Sequence, residues 1–401
     1  MKLPVYMDYH ATTPVDPRVL AAMTPYFMEK FGNPSSRTHS FGWQAAEAVE
    51  NARGQVARLL GADPKEIYFT SGATESNNLA IKGVALMHPG QRAQILTTPI
   101  EHKAVLDPCK WAEWQGMEVV FLPVDRHGMV DPAAVEEAIT ERTVIVSIIF
   151  SNNEIGTIQR LRDIGRITRS HGVLLHTDAA QAAGKIPVDV AALHIDLLSL
   201  TAHKMYGPKG IGALYVRGGD AREILSPLLD GGGQEGGFRP GTLNVPGIVG
   251  LGEACHICEQ EMAAESERLG RLRDRLQGGI FNELDEVHLN GHPTERLPHN
   301  LNLSFGYVEG EALLMSMSDV AVSTGAACNS AGAAGRSKGS YVLEAIGLPD
   351  DLIQSSIRFG LGRFTTEEEV DYVKERVVEA VRSLRELSPQ YAAEHANRSR
   401  R

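Results

Sequence analysis

Lys204 closes the apolar run Asp196-Leu197-Leu198-Ser199-Leu200-Thr201-Ala202-His203-Lys204, and Asp178 lies near the end of the run before it, Val173-Leu174-Leu175-His176-Thr177-Asp178-Ala179-Ala180-Gln181. Both runs have the length and apolarity of buried strands. An amine that directly follows such a strand is placed for desolvation, which lowers its pKa and makes it nucleophilic. An amine and an acid at the ends of successive strands suit a pyridoxal phosphate site. There the lysine forms an imine with the cofactor aldehyde and the acid pairs with the pyridinium nitrogen.

Further chemistry collects at the ends of other expected strands. Ser71-Gly72-Ala73-Thr74-Glu75-Ser76-Asn77-Asn78 opens a helix, and free amides there, with the Ser71 and Thr74 hydroxyls, form a phosphate cradle. A helix cap has the same composition. Thr98-Pro99-Ile100-Glu101-His102-Lys103 places an imidazole that can stack on a cofactor ring and carry protons, although a loop histidine can also be structural. Ser151-Asn152-Asn153-Glu154-Ile155-Gly156 supplies side-chain amides for a phenolate or carboxylate. Each signal is weak singly. The cradle after Thr70, His102, Asn153, Asp178 with Gln181, and His203 with Lys204 all fall just past separate strands, which gives the set its force.

Cys328 stands in a stretch over 323–339 that is almost entirely small residues, with Gly325, Gly332, Gly335 and Gly339. A thiol on such a loop suits a nucleophile that travels. Cys255-His256-Ile257-Cys258 has a metal-like spacing, but no second cysteine pair accompanies it and the segment reads as mid-helix, so we expect core packing and no metal.

The elements that must hold these residues follow from periodicity. Strands are expected at 66–70, 93–98, 118–122, 144–150, 173–178, 196–200 and 212–216, alternating with helices, the pattern of an α/β fold with a mostly parallel seven-stranded sheet between helices. A long amphipathic helix over about 248–276 joins this large domain to a smaller α+β C-terminal one. We expect an N-terminal segment 1–15 packed on the small domain, a cofactor-binding large domain over 16–262, and a small domain over 263–401 carrying the thiol loop at about 323–340. The small domain should hold a strand at 300–305, a helix at 310–317 and a last helix opened by the capping-box pattern Thr366-Glu367-Glu368-Glu369.

At 401 residues and 43% hydrophobic content the chain can bury two cores. A net charge of −11 argues against nucleic acid or an anionic membrane as the main partner, despite the basic tail Asn397-Arg398-Ser399-Arg400-Arg401. Apolar stretches stay well below the ~20 residues of a membrane span, and the start has no signal-peptide core. Four cysteines are too few for a disulfide framework, so we expect a cytoplasmic protein.

Taken together, Tyr6-Met7-Asp8-Tyr9-His10-Ala11-Thr12-Thr13-Pro14, Phe69-Thr70-Ser71-Gly72-Ala73-Thr74-Glu75-Ser76, residues 98–103, 152–156 and 178–181, His203-Lys204-Met205-Tyr206-Gly207-Pro208-Lys209-Gly210, Arg239-Pro240-Gly241-Thr242 and Ser356-Ile357-Arg358-Phe359 closely resemble the cysteine desulfurases of the NifS/IscS type. The likeness runs from residue 5 to about residue 389. It implies a fold-type I pyridoxal phosphate enzyme of the class V aminotransferase group, working as a homodimer. By this likeness Lys204 carries the cofactor, Asp178 keeps the pyridine nitrogen protonated, His102 stacks on the ring and Gln181 bonds the phenolic oxygen. Ala73, Thr74, Thr201 and His203 would surround the phosphate, with Thr242 reaching in from the other subunit.

The resemblance further implies that Arg358, helped by Asn153, binds the carboxylate of L-cysteine. Cys328 would take the substrate sulfur as a persulfide, release alanine and pass the sulfur to an acceptor such as an iron-sulfur scaffold protein. The stretch after Cys328 is longer and richer in glycine and alanine than in the housekeeping members. A selenocysteine lyase or an aminotransferase would use the same scaffold. A non-catalytic assembly partner would have no use for intact Lys204, Asp178, His102 and Cys328.

Overall fold

The computed structural model describes residues 2–90, 92–324 and 339–398. Cys328, with most of the expected 323–340 loop, lies outside the described residues, as do 399–401 of the basic tail. The chain begins with β1 (Val5–Tyr6), α1 (Pro17–Met23), α2 (Pro25–Met28) and α3 (Ser40–Leu60). Strands and helices then alternate: β2 (Ile67–Thr70), α4 (Ala73–Met87), β3 (Gln94–Thr97), α5 (Lys103–Trp114), β4 (Glu118–Phe121), α6 (Pro132–Ala138), β5 (Thr143–Ser147), α7 (Leu161–Ser170), β6 (Leu174–Asp178), β7 (Leu197–Thr201) and β8 (Gly212–Val216). The helix α8 (Val245–Glu283) leads to β9 (Val287–Leu289), β10 (Asn300–Phe305), α9 (Gly310–Ser316), β11 (Val320–Ala321), α10 (Tyr341–Ala345), α11 (Asp350–Gln354), β12 (Ser356–Gly360), α12 (Glu367–Glu386) and α13 (Pro389–Arg398).

Successive side chains of a strand face opposite sides, so a sheet covered on both faces needs apolar residues at every position. Ile95, Ile145, Leu197 and Leu214 pack under α4 and α5, while their neighbours Leu96, Val146, Leu198 and Tyr215 pack under α3 and α8. The result is a seven-stranded sheet in the order β2-β8-β7-β6-β5-β3-β4. All seven expected strands are present. Only β8 runs against the rest, antiparallel to both β7 and β2. Its first residue therefore reaches the edge where the other strands end. A Cβ on Gly212 would lie 2.4 Å from the Leu200 carbonyl oxygen and 2.7 Å from Gly72 Cα, so only glycine lets β8 meet the turn before α4.

A second core lies around the antiparallel sheet β12-β10-β9. It is built from Leu301, Leu303 and Phe305 of β10, Val370, Val373 and Val377 of α12, and Leu269, Leu272, Leu276 and Ile280 of α8. The earlier turns of α8, with Ile248, Leu251, Cys255 and Cys258, belong to the large core instead. The change from one core to the other falls on α8 between these two groups. Val5 and Met7 pack into the second core, and β1 pairs in parallel with β11. Thr366 and Glu369 form both halves of a capping box at the start of α12. Among the described residues no helix is long and apolar enough to cross a membrane.

Candidate active site

Six strands deliver their carboxyl ends to one edge, and a cavity of about 760 Å³ opens there. Its walls include Ala73, Thr74, His102, Asn153, Asp178, Gln181, Thr201, His203, Lys204 and Arg358. The structure thus gathers ten of the residues named from sequence into one cavity. Thr242 is not among its walls and is exposed.

Asp178 is the last residue of β6 and only 4% exposed. One carboxylate oxygen accepts from Asn77 Nδ2 at 2.7 Å and the other from the Ala180 amide at 2.9 Å. Two residues earlier on the same face, His176 sits between the Ser147 and Ser199 hydroxyls, at 2.8 and 3.1 Å, and burial pushes its pKa down to about 3. A neutral polar layer therefore underlies the acid. Glu101 is fully buried nearby, accepting from the Thr98 hydroxyl and the Ile149 amide. Burial, with a smaller contribution from Asp178, pushes its pKa up to about 8.

Lys204 ends a short turn after β7, and its amine donates to the carbonyls of His10 and, at 2.7 Å, Ala11. His203 beside it bonds the Thr12 hydroxyl through Nδ1 at 3.1 Å; burial, then the charges of Lys204 and Lys209, lower its pKa to about 4. His102 caps α5: its Nδ1 accepts from the Ala104 amide at 3.1 Å, which leaves the ring proton of the neutral form on Nε2. Gln181 is already paired with His10, donating from Nε2 to its carbonyl at 3.0 Å and bonding its Nδ1 through Oε1 at 3.1 Å. An amide nitrogen carries two hydrogens, so one remains for a ligand.

At the start of α4, Gly72 occupies the capping position and no side chain caps the helix, so its first amides face the cavity mouth beside Thr74 and Thr201. Across the cavity Arg358, on β12, donates from Nη1 to the Asn153 carbonyl at 3.0 Å and from Nη2 to Asp8 at 2.9 Å. Arg358 Nε and Asn153 Oδ1 are buried without a partner. Donors and acceptors of this kind, at a helix start and around a buried acid and amine, fit pyridoxal phosphate and an amino-acid carboxylate.

Sequence reasoning missed Asp8, His10, Asn77 and Glu154 as parts of this wall. Asp8, His10 and Glu154 stood inside the motifs that carried the family likeness and Asn77 inside the cradle segment after Thr70, but nothing local marks a residue whose partner is a hundred or more positions away. Glu154 accepts from the Ser340 hydroxyl at the start of α10, and burial raises its pKa to about 7.

The fold and cavity define a class of protein, and the chain belongs to the Aminotransferase class-V family, whose profile matches residues 5–373. It is 58% identical over 391 residues to "Cysteine desulfurase IscS" of Anaeromyxobacter sp. (strain Fw109-5), covering 98% of this chain and 96% of that protein. It is 55% identical over 391 residues to the protein of the same name from Pseudomonas aeruginosa (strain UCBPP-PA14), covering 97% and 95%. Among solved structures it resembles a "NIFS-like protein" with a TM-score of 0.86 and 41% identity, covering 94% of this chain and 98% of that one. It also resembles "SspA in complex with cysteine" with a TM-score of 0.80 and 40% identity, covering 90% and 100%.

Proposed function

We propose that this chain is a pyridoxal phosphate-dependent cysteine desulfurase, which takes sulfur from L-cysteine, releases L-alanine and passes the sulfur onward as a persulfide on Cys328. The observation that carries the reading is the convergence of Lys204, Asp178, His102 and Arg358 on one cavity in a chain more than half identical to proteins of that name. Lys204 and Asp178 would hold the two ends of the cofactor's reactive ring system, and Ala73, Thr74, Thr201 and His203 its phosphate. When bound, the cofactor supplies an electron sink for the substrate's α-carbon.

The chain's own residues do the rest. Arg358 and Asn153 orient the substrate carboxylate. Lys204 Nζ, held among the His10 and Ala11 carbonyls, takes the α-proton and returns it. His102, with its ring proton on Nε2, is the proton donor beside the substrate sulfur. The Cys328 thiolate attacks the substrate sulfur; the sulfur–sulfur bond forms as the sulfur–carbon bond breaks, and the protonated three-carbon remainder leaves as alanine.

The enzyme acts as a homodimer in the cytoplasm. Support for the dimer comes from an apolar surface on α2, the loop after it and the start of α3, where Phe27, Met28, Phe31 and Trp43 are each more than half exposed. Thr242, off its own protomer's cavity, is available to the partner's. The sulfur acceptor is a protein such as an iron-sulfur scaffold, as the family likeness implies.

The test is direct. The purified protein, reconstituted with pyridoxal phosphate, should show a visible absorbance band. With L-cysteine it should form alanine and gain one sulfur on the peptide holding position 328, read by intact mass and peptide mapping. Cys328→Ser should keep the band and lose both alanine and added sulfur; sulfur mapped elsewhere, or turnover by the variant, would remove Cys328 from the mechanism.

A further inference from the structure

Arg358 is 6% exposed and sits in the cavity wall, so its charge needs an anion close by. In the structure that anion is Asp8. Its Oδ1 lies 2.9 Å from Arg358 Nη2, while Nη1 is committed to the Asn153 carbonyl and Nε has no partner. A guanidinium grips a carboxylate best with two parallel N–H groups, and of the parallel Nε/Nη2 edge Asp8 meets only Nη2. Half of that edge is held by Asp8 and half is unmatched.

The backbone around Asp8 is fixed independently of this contact. The Gly360 amide donates to the Met7 carbonyl at 2.7 Å, the Tyr9 amide to the Gly360 carbonyl at 3.2 Å, and the Tyr6 hydroxyl to the Asp8 carbonyl at 3.0 Å. The side chain, 18% exposed and in the cavity wall, can turn away from Arg358 without moving the segment. A substrate carboxylate entering the same edge would place two like charges on one prong, so one must leave.

We propose that Asp8 is a specificity-determining stand-in for the substrate carboxylate: it compensates Arg358 in the free enzyme and gives way only to a ligand whose own carboxylate takes both prongs. This rests on the reading that Arg358 receives the carboxylate of L-cysteine. Amines without a carboxylate leave Asp8 in place and gain nothing from Arg358. Asp8 thereby lowers the affinity for amino acids in general while keeping the pocket closed to weaker anions.

The test compares L-alanine with ethylamine, which differ only in the carboxylate, by calorimetric titration of the holoenzyme, alongside the KM for L-cysteine. In Asp8→Asn the dissociation constant of L-alanine and the KM for L-cysteine should each fall by about fivefold, the scale of one partly exposed ion pair. Ethylamine binding should change by less than about twofold, because Arg358 gives it nothing to compete for. Unchanged or weaker L-alanine binding, or an equal change for ethylamine, would overturn the proposal. Asp8→Ser, with thermal unfolding followed in parallel, serves if the asparagine variant folds poorly. Arg358→Ala separates the two readings. If it binds L-alanine as tightly as the parent, the assignment of Arg358 itself fails; if it loses that binding while Asp8→Asn changes nothing, only the role of Asp8 falls.

Discussion

Asp178 shows how one side chain's role depends on the groups that satisfy it. Asn77 and the Ala180 amide each bind one of its oxygens, so the carboxylate is held in a single direction toward the cavity. Replacing Asp178 with Ala should leave the fold intact and lower kcat by roughly 100-fold or more, the scale of one lost electrostatic stabiliser. Steady-state alanine release checks this, and a near-normal rate would count against the assignment. Glu101 makes a second test at this scale. Burial raises its pKa to about 8, so the native chain holds this proton more tightly than the unfolded chain does. Its contribution to stability is therefore complete below the usual glutamate range and is lost as pH rises through about 8. Glu101→Gln keeps an acceptor for Thr98 and Ile149 and has no proton to lose. Melting temperatures of parent and variant from pH 5 to 8 should diverge in the variant's favour as pH rises; parallel curves would show that Glu101 does not titrate there.

At the scale of elements, α8 bridges the two cores, and its fit against α3 depends on one missing side chain. A Cβ on Gly252 would come within 2.4 Å of Gln55 Oε1 and 2.7 Å of Ala52 Cα. The backbone of α3 cannot give way as a flexible side chain would. Gly252→Ala should lower unfolding stability by about 1–3 kcal/mol through overpacking, despite the better helix propensity of alanine. A urea denaturation midpoint equal to that of the parent would show that the helices separate without cost. The reversed strand β8 belongs to the same scale. The sequence pattern of 212–216 identifies a strand but contains no sign of direction, because apolar positions on a doubly covered sheet read the same both ways. Direction was settled by the short connection from β7 and by the glycine that lets β8 touch Gly72.

For the whole molecule, the apolar surface on α2 and α3 is the feature that a lone protomer leaves unexplained. The Phe31 and Phe41 rings lie 5.4 Å apart, and both are exposed, as is Trp43. If this face joins two copies, Phe31→Asp with Trp43→Glu should shift sedimentation from dimer to monomer and weaken activity, since Thr242 would lose the partner cavity. A monomeric parent at micromolar concentration would remove the homodimer from the account.

Much of the fold was legible because strand-length apolar runs and helix caps are local signals: the seven strands, the long helix and the Thr366 capping box are all where periodicity put them. The long helix extends further at both ends than its amphipathic stretch, to Val245–Glu283; its first turns are buried in the large core and lack a polar face. The cavity walls were legible for the same reason, since a strand end marks itself. What the chain's order determined on its own was therefore chemistry by position: an amine, an acid and an imidazole each following a buried strand. What only the tertiary structure decided was pairing. Asn77 meets Asp178 across 101 positions and Asp8 meets Arg358 across 350, and such contacts leave no periodic trace because they are selected by the packing of whole elements.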